Sequence, residues 1–121
     1  MNIVICEFKR ENLEKLKPFV GMVCRLRLAS SELMTQQWNN PRCNNAIHRI
    51  DSISLNKEYS GSMNGGPKLL MMVTKWDHKK LKWGEHFSLW ENKHLFKVGI
   101  KYLHIAIIPP DEYILYKLLE G

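Results

Sequence analysis

Trp76, Trp83 and Trp90 recur every seven residues within the stretch 75–104, KWDHKKLKWGEHFSLWENKHLFKVGIKYLH, which also holds seven lysines and four histidines. Indole rings interleaved with ammonium groups suit a single-stranded nucleic acid, because bases stack on aromatic faces while cations neutralise phosphates. On one continuous helix the seven-residue spacing would make a single seam. Asp77 and Gly84 interrupt the stretch, however, and the flanking residues alternate at period two, so strands are predicted instead. Trp76 and Trp83 then bracket the turn DHKKLK and face one another across a hairpin. They are either a packing pair or a stacking platform edged by Lys75, Lys79, Lys80 and Lys82.

Other residue types offer weaker chemistry. His78, His86, His94 and His104, with Cys43 and His48, are the candidate metal ligands, but no Cys-x-x-Cys or His-x-x-x-His spacing occurs among them. His104 is expected to be a hydrogen-bonded core residue. If His78, His86 and His94 surround a phosphate, binding should strengthen as pH falls through about 6.5. Cys43 with His48, or Asp77 with His78, could be paired for nucleophilic catalysis, but sequence neighbours are not a triad and no oxyanion-hole signature accompanies them. GSMNGGPK lacks the Gly-Lys step of a phosphate loop, and no helix follows it. No catalytic residue, metal or cofactor is therefore predicted.

The elements that must position these residues can be read from periodicity. NIVICEFK is a strand, and ENLEKLKPF places Leu13, Leu16 and Phe19 on one side of a short helical turn ended by Pro18. In MVCRLRLAS, Met22, Cys24, Leu26 and Leu28 face one way and Arg25 and Arg27 the other. The segment 30–46 is polar and rich in Gln and Asn, with a short helix expected from Ser30 or Ser31 through Trp38. IHRIDSISL is a strand of imperfect alternation, and NKEYSGSMNGGP is a connection. KLLMMVTKW and WGEHFSLWE form the hairpin, with Phe87 and Leu89 on one face. HLFKVGIKYLHIAII is a long last strand, with Phe96, Val98, Ile100, Tyr102, Ala106 and Ile108 on the core side and Lys97 and Lys101 on the other, until both faces become apolar near Leu103, Ile105 and Ile107. After Pro109 and Pro110, Asp111 and Glu112 open a C-terminal helix that docks Ile114, Leu115, Leu118 and Leu119.

With 121 residues, 45% hydrophobic and 25% charged, the chain fits one folded domain over 1–121. The fold class predicted is α+β and β-dominated: a small, strongly bent antiparallel sheet or barrel with a short early helix and a C-terminal helix. MNIVICEFKR does not read as a secretory signal, and the longest apolar runs are too short to span a bilayer. Three cysteines cannot all pair, which fits free thiols in a reducing, cytoplasmic setting. Cys6 and Cys24 fall in apolar strands, whereas Cys43 lies in a polar loop and is the thiol expected to react quickly.

Net charge is +6, and its distribution is uneven. Residues 1–30 carry six basic and three acidic groups, 31–74 four and three, 75–104 seven and three, and 105–121 one and three. The excess invites an acidic partner. If the strands bearing Arg25, Arg27, Lys97 and Lys101 are neighbours, these four form one basic stripe that the lysine turn extends.

The reading is a small non-enzymatic binding protein that engages an anionic macromolecule, nucleic acid first. Arg25, Arg27, Lys75, Lys79, Lys80, Lys82, Lys97 and Lys101 would contact phosphates, and Trp76 and Trp83 would stack on bases. The alternative is an inhibitor or adaptor, of the kind small viral proteins provide. It would dock the 30–46 loop on an acidic surface or in a nucleic-acid channel of a protein partner, with Trp38, Arg42 and Tyr59 as anchors. A hydrolase dependent on His78 or His86 trails both. No membrane partner is expected.

Overall fold

A computed structural model describes residues 3–29, 43, 45–56, 67–91 and 101–109, together with 111, 112, 114, 116 and 118. Six strands form one antiparallel sheet: β1 (Ile3–Glu7), β2 (Val23–Ala29), β3 (Ala46–Asn56), β4 (Lys68–Asp77), β5 (Lys82–Trp90) and β6 (Tyr102–Ile107). Their spatial order is β1-β6-β2-β3-β4-β5. The sheet is not closed among the described residues, with β1 and β5 at its two edges, so the antiparallel sheet is seen there and the barrel alternative is not. No helix among the described residues is long and apolar enough to cross a membrane.

Alternation sorts the apolar side chains into two layers. Cys24, Leu26 and Leu28 of β2 point to the larger core, where Leu103 and Ile105 of β6, Ile50 and Ile53 of β3, Leu69, Met71 and Val73 of β4 and Leu89 of β5 join them. Register explains the match, because Leu26 stands opposite Ile105, Ile50 opposite Val73 and Met71 opposite Leu89. A lid covers this face. The helix α1 (Leu13–Leu16) lies between two 3-10 turns, and Leu13, Leu16 and Phe19 pack onto the core as their spacing predicts. Pro18 sits in the second of those turns. Gly21, at φ +88°, then turns the chain into β2 while its amide donates to Ile50 O at 2.7 Å.

The opposite face carries a smaller cluster of Val23, Trp76, Ile108 and Tyr116, with Ile47 and Trp83 against it. Two expectations about the faces change here. β6 turns Leu103 and Ile105, not Tyr102 and Ala106, to the large core; both of its faces are apolar, so alternation alone does not say which is inside. Lys101 falls two residues before Leu103, so alternation does not set it beside Arg25 and Arg27; its ammonium lies 5.7 Å from the centre of the Tyr102 ring. The single basic stripe is therefore divided, although β2 and β6 are indeed neighbours.

The helix expected through Trp38 and the first part of the long last strand lie outside the described residues. The C-terminal helix is not established among them either, since alternate positions beyond Glu112 are all that is described.

Candidate functional site

The β4–β5 hairpin is built around Asp77. Its Oδ1 accepts the backbone amides of Lys79 at 3.0 Å and Lys80 at 3.1 Å, a side-chain turn that fixes the loop. The Lys80 amide, the largest effect, together with the Lys79 amide and the charges of Lys80 and Lys82, holds the Asp77 carboxyl below its ordinary range against desolvation, which is second in size and opposes them. Leu81 closes the turn at φ +54° with its side chain exposed. Across the strands Trp76 stands opposite Trp83 and Asp77 opposite Lys82.

A register shift between Thr74 and Trp76 puts Gly84 in a bulge. A Cβ on Gly84 would come within 3.3 Å of Asp77 Cβ and 3.5 Å of Lys75 O, so a larger residue here would press on Asp77, which would have to give by a few tenths of an ångström. The result presents Lys79, Lys80 and Lys82 to solvent in one short turn. Beside them Lys75, Trp76, Asp77, His78, Lys79 and Glu85 line a pocket of 410 Å³.

The tryptophans behave differently from a stacking platform. Trp76 and Trp83 meet edge to face, 5.2 Å between ring centres, and Tyr116 closes on Trp76 at 5.0 Å. Trp76 is 6% exposed and is a core residue, which corrects its expected role in stacking on bases. Trp83 is half-buried, with the Arg49 guanidinium 4.9 Å from its ring centre. Among the described residues, no hydrogen-bond partner reaches either indole Nε1 or Arg27 Nε, all three of them buried donors. Each such donor costs about 1–3 kcal/mol until an acceptor reaches it.

Arg25 also sits apart from the hairpin turn, where its Nη2 pairs with Glu112 Oε1 at 3.5 Å and its Nη1 reaches Asn45 O at 3.4 Å. Arg27 stands opposite His104, whose pKa is lowered by burial and then by the Arg27 charge. Of the remaining expected contacts, Lys97, His94, Trp38, Arg42 and Tyr59 lie outside the described residues.

Cys43 corrects a further expectation. Its sulfur is buried, 3.4 Å from His48 Nε2, while His48 Nδ1 lies 2.9 Å from Ala46 O and the ring packs on Phe87. The Ala46 carbonyl can only accept, so Nδ1 carries the proton and Nε2 accepts from the thiol. Burial lowers the His48 pKa, which keeps this pair neutral. Cys24, opposite His48, has its thiol pushed up to about 12 by burial and by Cys43. Among the described residues no group of three or more His, Cys, Asp or Glu side chains is placed to hold a metal ion.

A second polar constellation lies on the face bearing Trp83. In β3, Arg49 and Asp51 share that face, with Arg49 Nε 2.8 Å from Asp51 Oδ1. Asp51 Oδ2 accepts the Thr74 hydroxyl at 2.6 Å and lies 3.0 Å from His86 Nδ1. Thr74 Oγ1 is also 3.0 Å from that nitrogen. Thr74 stands opposite both Arg49 and His86, so three adjacent strands assemble the group. Of its members the sequence reading singled out His86 alone. The faint sign of the rest was the broken alternation of IHRIDSISL, which is the register shift between Ile50 and Ser52 that flanks Asp51.

No family model matches the chain, and neither a curated protein nor a solved structure matches it.

Proposed function

We propose that the protein binds single-stranded nucleic acid through the tip of the β4–β5 hairpin. The observation that supports this most is the turn itself: Lys79, Lys80 and Lys82 are exposed together on a loop that Asp77 holds in shape. A preformed cationic tip neutralises successive phosphates with little further ordering. Lys75 and His78 extend it around the adjoining pocket. Trp83 supplies the aromatic element, as a half-buried ring at the edge of the basic tip in place of the buried Trp76. Arg25 and Arg27 add positive charge on the same sheet face at a distance from the tip. The segment after Pro109 is taken to run as a helix over that face, resting on Tyr116, which is buried against Trp76.

Titration of tryptophan fluorescence with a single-stranded oligonucleotide at a series of salt concentrations tests the reading. Affinity should fall steeply with salt. Changing Lys79, Lys80 and Lys82 together to Gln should weaken binding and reduce the slope of log K against log salt by about 2, roughly 0.7 for each phosphate contact on a single strand. An unchanged affinity and slope in the triple variant would remove the hairpin tip from the interface.

A further inference from the structure

The hydrogen bonds around His86 leave one protonation pattern. The Thr74 hydroxyl has a single proton, which it donates to Asp51 Oδ2 at 2.6 Å. Its oxygen, 3.0 Å from His86 Nδ1, can then only accept, as can the Asp51 carboxylate at the same distance. The proton on Nδ1 is thereby fixed in the neutral ring, and the lone pair sits on Nε2. Among the described residues no hydrogen bond engages Nε2, and the side chain is 54% exposed. Arg49 holds the far oxygen of the same carboxylate, so Oδ2 stays turned toward His86. A carboxylate that orients an imidazole with its second nitrogen open is the base half of a catalytic triad.

The missing half is a nucleophile. Thr74 is committed on the Nδ1 side, and no described hydroxyl or thiol meets Nε2. A nucleophile carried by the ligand completes the group, and RNA, unlike DNA, carries one in each ribose 2′-hydroxyl. We infer that His86 is the general base of an RNA-cleaving site, with Asp51 as its positioning residue; this rests on the nucleic-acid reading above. His86 is four residues along β5 from Lys82, about 13 Å at strand rise, so a strand gripped at the hairpin tip reaches it.

In the step, Nε2 takes the proton of a 2′-hydroxyl. The 2′-oxygen attacks the adjacent phosphorus, the O2′–P bond forms, and the P–O5′ bond breaks. The departing 5′-oxygen takes a proton from water, and the imidazolium returns its own to water. The products are a 2′,3′-cyclic phosphate and a 5′-hydroxyl, and every atom and charge is accounted for.

The full-length chain is incubated with an RNA oligonucleotide and, in parallel, with the same sequence as uncleavable 2′-deoxy oligonucleotide to measure binding. RNA should be cut to cyclic-phosphate ends, and a single 2′-deoxy substitution should protect its own linkage. His86→Gln should bind the deoxy strand within about two-fold of the parent yet cut RNA roughly 100-fold more slowly or less. Asp51→Asn should also slow cutting, and ¹⁵N NMR should show the neutral His86 proton moved from Nδ1 toward Nε2, which a mere loss of stability would not produce. Salt-dependent binding of the deoxy strand with intact RNA, or undiminished cutting by His86→Gln, overturns the general base and leaves the binding reading standing. Absence of binding to either strand overturns both.

Discussion

Cys43 lies between Arg42 and Asn44 in a polar run, yet its sulfur is buried beside His48 Nε2. A thiol that donates to a neutral imidazole stays a thiol, and the thiolate is the nucleophile, so both access and charge oppose reaction. Cys6 and Cys24 are buried as well, and burial raises the pKa of each. Mixing the native protein with an aromatic disulfide reagent should therefore label none of the three cysteines on the timescale of a free thiol. Guanidinium should release all three. One rapid equivalent in the native protein, mapped to Cys43, would mean that the Cys43–His48 contact opens in solution. His86 differs from His48 in exposure more than in pattern: each has one ring nitrogen fixed by an oxygen acceptor, but only His86 turns the other to solvent.

Among the elements, the hairpin carries strain at a place where a substitution can read it. Leu81 occupies the left-handed region, which costs a residue with a Cβ about 1–2 kcal/mol. Its side chain is exposed, so little packing offsets that cost. Leu81→Gly should raise stability by about 0.5 kcal/mol after the greater freedom of glycine in the unfolded chain is subtracted, a rise of about 2 °C in Tm. A fall in Tm would show that Leu81 packs in solution. The hairpin itself was legible in the sequence, because Asp77 and the lysine turn separate two alternating runs, and the arginine face of β2 followed from strict period two. β6 was assigned the wrong inner face for a physical reason: apolar residues line both sides, and register against β2 decides between them. The Asp51–Thr74–His86 group left only the broken alternation of IHRIDSISL as a local sign, since its members come from three strands and meet only once β3 and β5 flank β4.

Across the whole molecule, the net charge of +6 is divided among local arrangements, and among the described residues protonation acts through two buried or half-buried histidines more than through the total. His48 and His104 both have lowered pKa values, each chiefly from burial. Around His48 the Ala46 carbonyl and Glu85 favour the charged ring, while burial and Lys75 oppose it more strongly. A histidine whose folded pKa is depressed takes its proton first in the unfolded chain. Its contribution is therefore complete above the unfolded value of about 6.5 and is lost as pH falls below it. Asp77 acts in a separate window: its depressed carboxyl stabilises the hairpin above about pH 3.9, and that contribution goes as pH drops further through the folded value. Urea unfolding should accordingly give a flat stability from pH 8 to 7 and a decline below about 6.5. That decline should approach about 1.4 kcal/mol per pH unit where His48 alone stays neutral in the folded state. His48→Gln should be less stable at pH 8, because it disturbs the contacts to Cys43 and Ala46, but its decline below 6.5 should be shallower. A parent protein with the same stability at pH 5.5 as at pH 8, or a variant with an equally steep decline, would show that the Cys43–His48 pair is not what resists protonation.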